Sequence, residues 1–379
     1  MTLFARHDTA LRSLETRGRY RQLIPRAGHD FASNDYLGLA ESDVLQAAAR
    51  SALDRGVPVG AGGSRLLRGN QDEHFLLEQE AATFFGTEAA LFVGGGFVAN
   101  TAIFSTLPAQ GDLVLYDALI HASTHDGMRL GRADTMAFAH NDVTDAAERI
   151  RHWREAGNTG QIWLACESLY SMDGDLVPID DLATLAAETG AVLVVDEAHA
   201  TGVFGDLGRG VSHSYASREN TLTLHTCGKG LGVSGALICG AQVLIDTLIN
   251  RARGFVFATA PSPLNAALVR AALTELRTNP ARQQRAQALM AHAHAQAERH
   301  CGLIGFQSQI MPVIIGKDKP TMALAAHMQG LGYDIRGIRP PTVPRNTARL
   351  RISITLNTSA DVVTQMMCDL SQAMKEHSQ

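Results

Sequence analysis

At 379 residues, with 45% AVILMFWYC, 19% charged side chains and 35 glycines, the chain has the make-up of a globular enzyme with room for a large domain plus a smaller one, which excludes disordered and fibrous classes. A formal net charge of -5 and a pI near 6.3 argue against nucleic acid or an anionic membrane surface as a partner. The lack of a leader-like apolar segment or a bilayer-length apolar run, together with five scattered, unpaired cysteines, leads to the expectation of a cytoplasmic protein without a disulfide framework or zinc site.

Along the chain, residues Thr2 to Tyr20 carry Arg, Leu and Glu at helical spacing and lead into an extended stretch over Asp30–Leu39, so residues 1–40 read as an N-terminal arm. A large domain over 41–265 follows. There, strand-like runs alternate with helical patterns: AALFVG before GGFVANTAIFSTL, then DLVLYDA, TMAFA, QIWLACE, the helix IDDLATLAAETG and AVLVVDEAH. TLTLHTCGKG and GALICGA come next, with a helix-prone stretch from Gln242 to Arg253. This alternation predicts an α/β fold with a mostly parallel central sheet and helices on both faces. Ala-rich helical sequence fills Leu264–Arg299, and residues 266–379 read as a linking helix and a small α+β C-terminal domain. Its pieces are MPVIIG, the helix MALAAHMQGLG, the strand YDIRGI, the Pro-rich IRPPTVPRN, the strand ARLRISIT and an amphipathic helix Ala360–Lys375.

Four segments carry chemistry. In VLVVDEAHATG the buried strand ends at Asp196, with His199 three positions on, and ligands in open α/β sheets sit at such strand ends. A Walker-B reading of Asp196 needs an upstream G-x-x-x-x-G-K-[ST] loop, which the sequence lacks. In HTCGKGLGVSG, Gly228 and Gly230 flank Lys229. A partly desolvated amine there suits Schiff-base chemistry; the alternative is a surface lysine in a Gly-rich turn. FVGGGFVANTA places glycines before a helix start, where free N–H groups favour a phosphate, although a plain tight turn has the same sequence. In LYDALIHASTHDG, His121 and His125 stand at i and i+4 without the intervening acid of a zincin, so a cofactor-facing His121 is preferred to a metal site. A lysine for a carbonyl carbon, an acid for a ring nitrogen, a histidine for stacking and a phosphate cup together match the holding of pyridoxal 5′-phosphate (PLP).

The segments ASNDYLGLA, GAGGSRLLRGN, GGFVANTA, LIHASTHDG, FAHND, LYSMDGD, VVDEAHATG, TCGKGLGVSG and RPPTVPRNTARLRIS occur in this order. They resemble the α-oxoamine synthases over nearly the whole chain. The resemblance implies a fold-type I PLP enzyme working as a homodimer with its active site at the subunit interface. It also implies decarboxylative condensation of an amino acid with an acyl thioester, and no metal. IRPPTVP with FAHND is most similar to the biotin-pathway member, which joins L-alanine to a pimeloyl thioester of coenzyme A or acyl-carrier protein; a glycine-using member such as 2-amino-3-ketobutyrate CoA ligase is the alternative.

Residue by residue, the resemblance makes Lys229 the cofactor-bearing lysine and the base that moves the α-proton. Asp196 pairs with the pyridine nitrogen, His199 meets the phenolic oxygen with Ser171 nearby, and His121 stacks on the ring. The backbone of Gly96 and Phe97 and the Thr226 hydroxyl hold the phosphate, and Thr259 reaches the phosphate of the partner subunit. Arg351 grips the amino acid carboxylate, while Asn34, Thr342 and Arg21 line the acyl and amino acid pocket. Ser168 stands where the family usually carries Gly.

Overall fold

Short apolar runs bounded by turn residues form strands, and seven of them share one sheet in a computed structural model that describes residues 3–377. In chain order they are β1 (Ala89–Val93), β2 (Leu113–Asp117), β3 (Asp134–Phe138), β4 (Ile162–Glu167), β5 (Val192–Asp196), β6 (Thr221–Thr226) and β7 (Ala236–Gly240). They lie side by side in the order β1-β7-β6-β5-β4-β2-β3. Strands β2 to β6 pair in parallel, whereas β7 runs antiparallel to both of its neighbours, β6 and β1.

Successive strand residues point to opposite faces, and here both faces are buried. Leu113, Leu115, Ile162, Leu164, Leu193 and Val195 pack with the helices Val143–Glu155 and Ile179–Thr189. Their neighbours Val114, Trp163, Ala165 and Val194 pack with the helices Gly96–Thr106, Ala122–Leu130 and Gln242–Arg251 on the other face. Burial on both sides explains why these strands read as continuous apolar runs rather than alternating ones.

The sheet and its helices belong to one unit, Asn34–Ser171 with Asp175–Arg285; the N-terminal segment through Ser33, Met172–Gly174 and the chain from Ala286 onward form another. The second unit holds an antiparallel sheet of β8 (Ile310–Gly316), β9 (Arg336–Ile338) and β10 (Ala348–Ser353), in the order β9-β10-β8. Against it pack Leu324, Ala325 and Met328 of the helix Asp318–Gly330 and Val363, Met366, Met367 and Leu370 of Ala360–His377. Among the described residues no helix is long and apolar enough to cross a membrane.

Several segments differ from the sequence reading; among them YDIRGI, read as one strand, is two short ones, Tyr333–Asp334 and Arg336–Ile338, in separate sheets. The stretch over Asp30–Leu39 is extended only at His29–Asp30; beyond it the chain turns, because Asp30 accepts the N–H groups of Ala32 and Ser33 and Asp35 accepts that of Leu39. The Ala-rich stretch divides into Pro263–Thr278 and Pro280–Cys301. Pro280 has no N–H to continue the ladder and drives Asn279 to φ -128°, ψ 68°. A helix over Asp72–Phe85, ended by Gly86 at φ 76°, was not singled out from sequence.

Candidate active site

Parallel strands β4, β5 and β6 end side by side, which brings Glu167 opposite Asp196 in register and Thr226 one strand further on. Asp196 is buried, and both carboxylate oxygens are held: Oδ2 accepts from Asn100 Nδ2 at 2.8 Å and Oδ1 from the Ala198 N–H at 2.9 Å. Asn100, buried on the Gly96–Thr106 helix, also donates to Ser123 Oγ at 3.0 Å. Ser123 Oγ lies 2.7 Å from His121 Nδ1, which caps the Ala122–Leu130 helix by accepting the Ser123 N–H. Because Nδ1 accepts, the ring proton of His121 sits on Nε2. Burial first, then the charges of Lys229 and His125, keep this imidazole below the ordinary histidine range against the pull of Asp196.

Lys229 lies in the turn joining β6 to β7. Cys227 N–H bonds the Gly235 carbonyl and Val233 N–H bonds that of Cys227, closing a narrow neck, and Gly232 N–H folds back to the Lys229 carbonyl. Gly230 is required there: a Cβ would stand 2.3 Å from the Thr201 carbonyl oxygen. From this anchored turn Lys229 Nζ reaches His199 Nε2 at 2.6 Å; His199 Nδ1 lies 2.6 Å from the Tyr36 hydroxyl, which lies 3.0 Å from Asn34 Oδ1. Just before His199, the buried carboxylate of Glu197 accepts from Ser168 Oγ at 2.6 Å and from the N–H groups of Val211 and Ser212, fixing the loop after β5.

Glycines open the third wall. The Gly96–Thr106 helix starts at Gly95 with no side-chain cap, leaving its first N–H groups unanswered by side chains. A Cβ on Gly96 would stand 3.4 Å from Thr226 Oγ1, so the bare α-carbon lets the helix start and that hydroxyl share one space. Glu167 closes the floor. Its carboxyl group accepts the Ser171 N–H, yet its buried Oε1 has no partner, and burial followed by the charge of Asp196 lifts it well above the ordinary carboxyl range.

One cavity of about 170 Å³ is lined by Gly96, Phe97, His121, Asp196, His199, Thr226 and Lys229, all selected from sequence, together with Asn100, Ser123 and Glu167, which were not.

A family model for class I and II aminotransferases matches residues 28–366. An 8-amino-7-oxononanoate synthase of Acidithiobacillus ferrooxidans is 38% identical over 347 residues, 91% of this chain and 87% of that protein. A solved 8-amino-7-oxononanoate synthase of Francisella tularensis superposes with TM-score 0.76 at 25% identity, covering 93% of this chain and 99% of that one. A serine palmitoyltransferase variant solved with PLP gives TM-score 0.87 at 25% identity over 98% of each chain. The chain belongs to the class I and II aminotransferase family, among its α-oxoamine synthases.

The remaining sequence-selected residues of this α-oxoamine synthase fall into three groups. Asn34 joins the site through Tyr36, and Ser171 through its N–H to Glu167. Thr259 lines a separate, larger cavity of about 470 Å³, which it shares with Phe97. In the other unit, Arg21 Nη2 donates to Thr342 Oγ1 at 3.1 Å, while Arg351, buried on β10, donates to Ser353 Oγ at 2.8 Å. Ser168, standing where Gly is usual, gives its hydroxyl proton to Glu197. Two of the missed residues had a signal: Glu167 ends a buried apolar strand as Asp196 does, and Asn100 is a lone amide in the apolar run GGFVANTA.

Proposed function

We propose that this cytoplasmic homodimeric enzyme uses PLP to condense L-alanine with a pimeloyl thioester, releasing carbon dioxide and 8-amino-7-oxononanoate. The observation that carries the proposal is the convergence of Lys229, Asp196, His121 and His199 on one cavity beneath an uncapped helix start. The residues fit the cofactor. An amine suits its carbonyl carbon, the doubly held carboxylate of Asp196 suits a protonated ring nitrogen, and the helix start with Thr226 suits its phosphate.

In this assignment Lys229 would hold the cofactor covalently, His121 would cover one ring face and His199 would meet the phenolic oxygen. When bound, PLP supplies an electron sink for a carbanion at the amino acid α-carbon and for the electrons left by departing carbon dioxide. Asn100 and Ala198 fix the direction of Asp196, so its charge needs no reorganisation as the reaction proceeds. Lys229 Nζ takes the α-proton and later returns one to the product carbon. Arg351 would bind the substrate carboxylate, since a guanidinium grips it through two parallel hydrogen bonds. Arg21 and Thr342, already paired, would take part of the acyl chain.

A product assay decides. Alanine, glycine and serine are each offered with pimeloyl-CoA and with pimeloyl carrier protein, and products are weighed by mass spectrometry. The expected outcome is 8-amino-7-oxononanoate from L-alanine. A glycine-derived product as the main species would replace this reading with the CoA-ligase alternative.

A further inference from the structure

The line from Lys229 through His199 and Tyr36 to Asn34 has a direction. An ammonium only donates, so at 2.6 Å from Lys229 Nζ the His199 Nε2 atom must accept. A neutral imidazole that accepts at Nε2 carries its proton on Nδ1. That N–H faces the Tyr36 oxygen, also at 2.6 Å, and a phenol has only one proton. Tyr36 therefore accepts from His199 and sends its own proton to Asn34 Oδ1 at 3.0 Å. Each hydrogen along the line then meets one acceptor. The ring and the phenol are both buried, and with Lys229 charged the reversed line would oppose two donors at Nζ and Nε2.

We propose that Tyr36, aimed by Asn34, is a positioning residue that holds His199 as the Nδ1–H tautomer, so that Nε2 takes a proton from the Lys229 ammonium and leaves a free amine to capture the cofactor. The step balances. One Nζ–H bond breaks and one Nε2–H bond forms, and the positive charge passes from ammonium to imidazolium, where the Tyr36 oxygen accepts from Nδ1. The carboxylate of Asp196 lines the same cavity and favours a cation there. An amine freed of its proton is the nucleophilic form that carbonyl capture requires. The inference rests on the reading of Lys229 as the cofactor-bearing lysine, and it gives Asn34 a task besides substrate contact.

The test uses the full chain labelled with ¹⁵N-histidine and freed of cofactor. In the wild type, His199 is expected to show an unprotonated Nε2 signal and a protonated Nδ1 signal. Tyr36→Phe is expected to mix the tautomers and, with a buried hydrogen bond lost, to slow PLP capture about tenfold in stopped-flow absorbance. In Asn34→Asp a carboxylate oxygen still accepts from Tyr36, so the Nδ1–H signal persists. A wild-type ring protonated on Nε2, a Tyr36→Phe protein with wild-type ring signals and capture rate, or an Asn34→Asp protein that switches to Nε2–H overturns the proposal. A folded wild type that takes up no PLP at all strikes the functional reading instead, and the tautomer result stands apart from it.

Discussion

Asp196 and Glu167 face one another across adjacent strands, in unlike surroundings. Asp196 receives two hydrogen bonds, whereas Glu167 has a buried oxygen without a donor and a strong incentive to keep its proton. A carboxyl raised in the folded state binds a proton that the unfolded chain has already released, so it lowers stability as pH climbs above the unfolded value of about 4.3. Glu167→Gln keeps the shape and removes the titration. Thermal unfolding of the cofactor-free protein should therefore show the variant gaining on the wild type with rising pH. A constant gap from pH 5 to 9 would mean that Glu167 does not hold an extra proton.

Between strands, the FAHND segment acts as a clasp. His140 Nδ1 lies 2.9 Å from the buried Asp117 at the end of β2 and its Nε2 lies 2.7 Å from Asp175, while its ring stands edge-on to Tyr170. Asn141, at φ 55°, sends its N–H to Asp117 and its amide to Asp175. The clasp ties the β2 and β3 ends to the loop between Leu169 and Leu176, on which Ser171 sits. Burial alone would lower the His140 imidazole, but its hydrogen bonds to the two carboxylates raise it to about 10. Its unfolded value is about 6.5. The clasp thus contributes fully below about pH 6.5 and is lost as pH rises toward the folded value. His140→Gln should be less stable than the wild type near neutrality, and the difference in Tm should shrink on approaching pH 10; a difference that grows with pH contradicts the clasp.

Elements of this kind also mark how far the sequence could be read. Strands β4 and β5 were legible because burial on both faces turns them into unbroken apolar runs, Asp196 because a charge beside such a run needs a reason, and Lys229 because Gly228 and Gly230 flank it. The clasp was seen as a motif but not as a structure, since pairing His140 with Asp117 and Asp175 requires knowing which strand ends meet. Tyr36 was hidden for the same reason: its partner, His199, lies far along the chain. The turn beyond Asp30 was misread because side-chain carboxylates, rather than strand partners, satisfy its backbone.

At the scale of the whole molecule, the sheet unit leaves large apolar side chains in water. Leu67 is 85% exposed, Phe75 54%, Phe97 53% and Phe257 72%. Contact between two copies of the chain would cover such side chains, in keeping with the homodimer proposed above. Sedimentation of the wild type should give twice the 40.6 kDa chain mass. Leu67→Glu combined with Phe75→Glu should move it toward the monomer and lower turnover without unfolding the chain. A wild type that sediments as a monomer at micromolar concentration removes the dimer from the account.

The reversed strand β7 has a consequence for how the protein comes into being. It slots between β1, near the beginning of the sheet unit, and β6, so Ala89 finds its partner Gly240 only after most of that unit has been synthesised. Until then β1 has no neighbour, and the turn bearing Lys229 has only one of its two stems. On the proposed reading, vitamin capture would therefore be a late event in the life of the nascent polypeptide, and a chain truncated shortly after Lys229 would possess the amine without the walls that give it a purpose.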